Sequence, residues 1–406
     1  MLLYIHVPFC RAKCRYCAFH SVPLGRHVKP AECAALRDYV DTLFMEMAIW
    51  GDRLGPKKVS SIFIGGGTPS LLPPRILDLL LEKAAACFHV EKGAEITMEA
   101  NPESLVNAAQ AAACLQAGVN RISLGVQSLD DAMLRVLGRA HHGGDVLRTV
   151  SAVRDAGCVN LNLDLMWALP GQSVRHWLNT LKEVLRLRPD HISAYALTLE
   201  EGTPLEKEVS RGRLSLPEER EQSLMFLEGA AQLESAGYLH YEISNFARMG
   251  FACRHNVGYW EGREYLGLGP SATSTLGDRR WTNPADQQVW TEAVAQRRLG
   301  EHVEVLTPEV RVLELIMLRL RTARGLRLKA YRQLTGCEFV PAHAKLVQAL
   351  HENGLIRIRD GYLRLTRHGM LVSNSIISSI FEQTEKVLQH RAPAPLEHKE
   401  APAAAH

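Results

Sequence analysis

The chain is 406 residues long, 46% hydrophobic and 22% charged, with a formal net charge of +3. That is globular composition with material for a large core and a smaller second one; it excludes a low-complexity polymer, and so small a net charge gives no general attraction to nucleic acid or an anionic membrane. Nine cysteines, an odd number with three clustered near the N-terminus, point to a reducing compartment and metal ligation over a disulfide framework.

The first apolar run, Leu2-Leu3-Tyr4-Ile5-His6-Val7, has strand composition and stops at Pro8. It is too short for a secretory signal, and no run of about eighteen apolar residues is present to span a bilayer. The chain is therefore expected in the cytoplasm, without a transmembrane segment and with peripheral membrane contact left open. Directly after the run, Cys10, Cys14 and Cys17 stand in the spacing C-x3-C-x2-C. They fall on a loop leaving the carboxyl end of a strand, where α/β folds place ligands. Four protein ligands close a structural zinc site or an electron-transfer cluster. Three cysteines on a four-iron cluster leave one iron open to a small molecule. Phe19, two residues beyond Cys17, cannot coordinate, and Cys33 is distant. A zinc site completed by His6 or His20, or a set of surplus buried cysteines, are the alternatives that the residues alone leave open.

This spacing after an N-terminal strand resembles the signature of radical S-adenosylmethionine (SAM) enzymes. The resemblance implies a [4Fe-4S] cluster held by Cys10, Cys14 and Cys17. It also implies SAM chelated to the open iron and cleaved, on reduction, to methionine and a 5′-deoxyadenosyl radical.

Further along, apolar residues at helical spacing run from Ala34 to Trp50. Val59 to Ile64 reads as a buried strand entering Gly65-Gly66-Gly67-Thr68-Pro69. Helix Leu71–Phe88, strand Ile96–Pro102, helix Glu103–Ala117 and strand Arg121–Ser128 follow. Then come helix Val146–Ala156, strand Leu161–Met166, helix His176–Arg186 and strand His191–Leu197. The alternation predicts βα units around a parallel sheet. Six units are too few for a closed eight-stranded barrel, so the expected fold is α/β, a partial (β/α)6 barrel.

Polar residues recur at the carboxyl ends of these strands, the functional rim of such barrels. Glycines let the backbone approach a ligand closely, and Gly66-Gly67-Thr68 resembles the superfamily's glycine motif, which holds the amino group of SAM. Glu99 of E-x-N-P, Gln127 of G-V-Q-S, Arg139 of G-R-x-H and Asp164 of D-L-x-x-x-L-P match SAM-contacting positions of the coproporphyrinogen-oxidase-like branch. Tyr4, Tyr16 and Ala196 match others. Carboxylates and an amide suit ribose hydroxyls, and a guanidinium suits a carboxylate.

Helix Glu218–Ala236 and strand Tyr241–Phe246 lead to Cys253-Arg254-His255-Asn256-Val257-Gly258-Tyr259-Trp260. By itself such a segment reads as a packed turn with aromatics plugging the barrel. It also combines an imidazole and a thiol able to ligate haem iron with flat apolar rings. H-N-x-x-Y-W resembles the haem motif of the HemW haem-chaperone family, which implies haem contacts from His255, Asn256, Tyr259, Trp260 and Cys253. The glycine-rich Tyr265–Ala272 resembles the stretch that follows it there.

Residues 276–305 turn polar and read as a connector. Thr307-Pro308-Glu309 is a helix start, and helices Glu309–Arg321, Lys329–Leu334 and Ala342–Asn353 precede a hairpin turned at Asp360-Gly361. With helix Ser373–Leu388 this predicts a winged-helix-like α+β domain over 306–388, after a barrel over 1–275. The tail 389–406, rich in Ala, Pro, Glu and His, is expected to be disordered.

The expected function is that of a haem chaperone binding a [4Fe-4S] cluster, SAM and haem. Its partners would be haem-accepting proteins and an electron donor, not nucleic acid. The alternative is an oxygen-independent coproporphyrinogen III oxidase. That relative carries a fourth cysteine in C-x3-C-x2-C-x-C and a longer arm before it, whereas here Phe19 fills the position and nine residues precede Cys10. An iron-sulfur DNA-binding regulator is a third class, suggested by the winged helix with Arg319, Arg321, Arg324 and Arg327, but acidic Glu314, Glu338 and Glu352 break that patch.

Overall fold

The structure, a computed structural model, describes residues 1–25 and 30–389. It divides into two compact units, one of residues 1–306 with 321–323, the other of 307–320 and the chain from 324.

In the first unit six parallel strands lie side by side in chain order: β1 (Leu2–Val7), β2 (Lys58–Gly66), β3 (His89–Ala100), β4 (Arg121–Gln127), β5 (Leu161–Trp167) and β6 (His191–Ala196). Between them run α1 (Ala34–Leu54), α2 (Pro74–Cys87), α3 (Ala108–Gln116), α4 (Asp131–Leu137), α5 (Gly143–Asp155) and α6 (Val174–Arg186), and α7 (Pro204–Ser210) and α8 (Glu219–Ser235) follow β6. This is the expected partial barrel. Side chains alternate along each strand. Leu3, Ile5, Ile62, Ile64, Met98, Leu124 and Leu163 are buried in one core with Leu43 and Met47 of α1. Each such side chain contributes roughly 1.5–3 kcal/mol on burial. The alternate positions face the barrel interior and are mostly polar: Tyr4 and His6, Ser61, Glu95, Thr97 and Glu99, Arg121 and Ser123, Asn162 and Asp164, His191 and Ser193.

Beyond the six strands the sheet continues at both edges. Residues expected as one strand, 241–246, form a hairpin: β7 (Leu239–Glu242) turns through Ile243-Ser244 into β8 (Asn245–Ala247), which pairs antiparallel with β6. After α9 (Arg254–Trp260), the glycine-rich stretch supplies β9 (Tyr265–Leu268), a seventh parallel strand against β1. It is extended by the antiparallel strands β10 (Thr273–Leu276), β11 (Arg279–Thr282) and β12 (Glu304–Val305).

The stretch 276–305, read as a connector, thus carries structure of the first unit. Besides β11 it holds α10 (Gln287–Ala295), whose Trp290 is buried with its Nε1 donating to Glu46, while Trp281 stacks on Trp50. Its polar composition hid two tryptophans doing the packing. Strand β3 also begins seven residues before the expected start, because Glu91, Lys92 and Gly93 mask it.

The second unit follows the winged-helix pattern. It comprises α11 (Pro308–Leu320), β13 (Leu326–Arg327), α12 (Leu328–Thr335), α13 (Phe339–Ala342), α14 (Ala344–Glu352), β14 (Ile356–Arg359), β15 (Tyr362–Leu365), α15 (Arg367–Leu371) and α16 (Ser373–Gln389). The expected helix 342–353 is broken at His343, just after Pro341, with φ −120. Asp360 and Gly361 both take positive φ, as a two-residue hairpin turn requires. The tail beyond residue 389 lies outside the described residues. Among those described, no helix is long and apolar enough to cross a membrane.

Candidate SAM rim and haem segment

The cysteine loop and the glycine motif are fitted to each other at the carboxyl ends of β1 and β2. A Cβ on Gly67 would lie 2.5 Å from the Phe9 carbonyl oxygen and 3.0 Å from Cys10 Sγ. Gly66 has φ +111, and a Cβ there would meet the His6 ring at 2.7 Å. Only glycine fits either position. Cys10, Cys14 and Cys17 are half-buried, and burial raises the thiols of Cys10 and Cys17.

Two of these sulfurs join one hydrogen-bonded arc. Thr68 Oγ1 donates to Cys10 Sγ at 3.6 Å, and Asn101 Nδ2 donates to Thr68 Oγ1 at 3.0 Å. Arg139 donates to Asn101 Oδ1 at 2.5 Å, to the Gly125 carbonyl at 2.9 Å and to Cys14 Sγ at 3.4 Å. Donors aimed at sulfur fit thiolates that ligate a metal cluster. His6, the zinc ligand considered above, has both ring nitrogens engaged, by the Tyr4 hydroxyl and the His20 carbonyl, each at 3.0 Å.

Glu99 accepts from the Gly66 amide at 3.0 Å. Burial, helped by the Asp164 charge, pushes its carboxyl up to about 8 against the opposing Gly66 hydrogen bond. Asp164 accepts from Ser123 Oγ at 2.9 Å and Asn162 Nδ2 at 2.8 Å. Gln127 sits where the β4–β5 register slips by one residue, with φ +63, so a bulge re-aims its side chain. A Cβ on Gly125 would meet Asn101 Oδ1 at 2.6 Å and Gln127 Nε2 at 3.1 Å, so this glycine makes room for the arc. Tyr4, Tyr16 and Ala196 complete the rim, Ala196 exposed at the end of β6. Asn101, which links the glycine motif to Arg139, escaped notice as a site residue although it stands inside E-x-N-P.

The second expected site lies at the opposite end of the strands, and it is closed. Glu95, four residues before Glu99 on the same face of β3, accepts from the Arg254 amide at 2.9 Å, the His255 amide at 3.0 Å and the Cys253 thiol at 3.4 Å. His255 is 1% exposed. Its Nδ1 meets Ser61 Oγ at 2.9 Å, and its ring packs against Phe63 and edge-on to Tyr259. Burial, with the Arg121 charge adding, holds the His255 ring neutral, with its value down to about 3, and burial pushes the Cys253 thiol up to about 12. Asn256, Tyr259 and Trp260 are half-buried. As folded, neither His255 nor Cys253 offers a surface to a porphyrin. Nothing in the local sequence announces Glu95 as the residue that holds this segment, since its partners are more than 150 positions away.

The geometry agrees with what comparison with known proteins finds. Residues 4–184 match the model of the radical SAM superfamily, and 306–372 match the HemN C-terminal domain. "Heme chaperone HemW" of Bacillus subtilis is 31% identical over 93% of this chain and 98% of its own length. The chain belongs to the HemW-like radical SAM family. "Radical S-adenosyl methionine domain-containing protein 1, mitochondrial" of Bos taurus is 36% identical over 97% of this chain and 90% of its own length. Among solved structures, the coproporphyrinogen III oxidase HemN of Escherichia coli superposes with a TM-score of 0.78 over 93% of this chain and 89% of that one. At 23% identity that likeness shows the shared fold. Membership of the family brings a [4Fe-4S] cluster and SAM as cofactors.

Proposed function

We propose that this chain is a haem chaperone. It holds its cluster through Cys10, Cys14 and Cys17, and binds SAM along the rim from Tyr4, Tyr16 and Gly66–Thr68 through Glu99, Gln127, Arg139 and Asp164 to Ala196. It takes haem at Cys253–Trp260 and passes it to acceptor proteins. When bound and reduced, the cluster and SAM supply homolytic cleavage chemistry at the rim. The chain's own residues there do the positioning: Arg139 fixes the Cys14 sulfur and Asn101, while Glu99 and Asp164 present acceptors for ribose hydroxyls.

The observation that carries the reading is His255 itself. Its Nε2 is buried without a hydrogen-bond partner, an arrangement that costs roughly 1–3 kcal/mol in a finished core. A neutral imidazole with a spare nitrogen is what a haem iron requires. Ligation needs the segment to leave Glu95, so haem uptake is coupled to opening. The relatives named as haem chaperones support the reading, as does Phe19, 70% exposed where the oxidase has a fourth cysteine. The protein is read as cytoplasmic, with an electron donor and haem acceptors as partners.

The test is a haem titration of anaerobically reconstituted full chain, followed by the Soret band, beside an assay for protoporphyrinogen from coproporphyrinogen III, SAM and reductant. One haem per chain, lost in His255→Ala, with no product, is the expected result. Product over many turnovers would replace the chaperone by the oxidase.

A further inference from the structure

The SAM rim and the haem segment lie at opposite ends of the barrel, and a line of hydrogen-bonded side chains runs through its interior from Asp164 at the rim to Tyr241, a neighbour of the haem segment. Asn162 Nδ2 donates to Asp164 Oδ1 at 2.8 Å, and also to Ser123 and Ser193. With its amide nitrogen so engaged, Asn162 Oδ1 is the acceptor that His191 Nδ1 meets at 2.6 Å. His191 therefore carries its proton on Nδ1. Its Nε2, left with a lone pair, takes the Tyr241 hydroxyl at 2.8 Å. Tyr241 in turn neighbours Cys253, the first residue of the haem segment.

The carboxylate of Asp164 accepts at the head of this line, and it shares the two Asn162 amide protons with the Ser123 and Ser193 hydroxyls. Asn162 is 1% exposed and His191 0%, so the line runs through the buried interior. Burial and the nearby Arg121 charge keep His191 neutral, which preserves the alternation. Such chains polarise along their length, and a change at one end reaches the other.

We propose that Asn162, His191 and Tyr241 are positioning residues that couple occupancy of the SAM rim to release of the Cys253–Trp260 segment. The proposal rests on the haem-chaperone reading above and deepens it. Ribose hydroxyls donating to Asp164 compete with Asn162 Nδ2. The Asn162 amide loosens, His191 loses its fixed tautomer, and Tyr241 relaxes its hold on Cys253. SAM thereby favours the open segment, and haem binds more tightly when SAM is present.

The test measures haem dissociation constants of the reconstituted full chain with and without saturating SAM, with reductant omitted so that SAM is not cleaved. Wild type should bind haem about fivefold more tightly with SAM, the lower range of ordinary coupling, and haem should tighten SAM by the same factor. Tyr241→Phe removes one hydroxyl and should bind haem about fivefold more tightly without SAM, with no further gain on adding it. Tyr238→Phe, a buried tyrosine whose hydroxyl serves the Pro189 carbonyl outside the line, should keep the wild-type SAM effect. The proposal is overturned, with the chaperone reading intact, if both ligands bind wild type independently or if Tyr241→Phe keeps the SAM effect. If wild type binds no haem, both fall together.

Discussion

Arg139 reaches 2.5 Å from Asn101 Oδ1 while its other terminal nitrogen donates to Cys14 Sγ. One guanidinium thus ties a strand-end amide to the second cysteine of the C-x3-C-x2-C loop, and Asn101 passes the tie on through Thr68 to Cys10. Asn101→Ala would leave a buried cation short of a charge-assisted bond, a loss of roughly 1.5–3 kcal/mol. With the guanidinium free to swing, SAM affinity should fall roughly tenfold or more, at about 1.4 kcal/mol per decade. Equilibrium binding of SAM to reconstituted protein checks this. Unchanged affinity at full iron content would show that the Gly125 carbonyl and Cys14 hold Arg139 in place without Asn101.

The rim was legible from sequence because its residues sit in short local patterns: the cysteine spacing, the glycine triplet, and polar residues ending apolar strands. The period of two along β3 was legible only in part. Glu95-x-Thr97-x-Glu99 is one interior face, but the strand's charged beginning kept Glu95 outside the expected element. What the sequence could not reveal were long-range pairings, such as Glu95 with Cys253–His255, or the hairpin turned at Ile243-Ser244. Tertiary burial also decides accessibility: His255 looks like a ligand in the sequence and is a sealed interior residue in the fold.

Gly67→Ala probes the fit of the glycine motif to the cysteine loop. The added methyl would press on a backbone carbonyl at 2.5 Å, which cannot rotate away as a side chain could. Overpacking of this kind costs about 1–3 kcal/mol. The strain should fall on the Phe9-Cys10 backbone, so iron and sulfide content after reconstitution should drop well below one cluster per chain. Circular dichroism of the cluster-free protein should stay near that of wild type. Full cluster content in the variant would mean that the loop moves freely against Gly67.

Glu99 makes cluster-free stability depend on pH. Its carboxyl stands at about 8 in the fold, above an ordinary value near 4.3. Between these values the folded chain retains a proton that the unfolded chain has released. Stability therefore falls as pH rises from about 4.3 to about 8, and levels off above. Buried Glu46 and Glu242, each raised to about 7, act in the same direction. Glu99→Gln should flatten the slope of the denaturation midpoint between pH 5.5 and 7.5. A variant slope equal to that of wild type would assign the whole effect to the other two carboxyls.

Glu95→Gln tests whether one side chain keeps the haem segment shut. The carboxylate accepts from two backbone amides and a thiol, and an amide in its place turns one oxygen into a donor facing other donors. Losing one charge-assisted bond costs roughly 1.5–3 kcal/mol. Because the bond exists only in the closed segment, that energy goes into opening it. Cys253 is 0% exposed, so a thiol reagent modifies it only from the open form, at a rate set by the opening equilibrium. Peptide mapping by mass spectrometry should find Cys253 labelled tenfold or more faster in the variant. Cys114, 6% exposed on α3 in the main core, reports global unfolding and should keep its rate. Equal acceleration at both cysteines would mean that Glu95 stabilises the whole barrel and is no latch for His255.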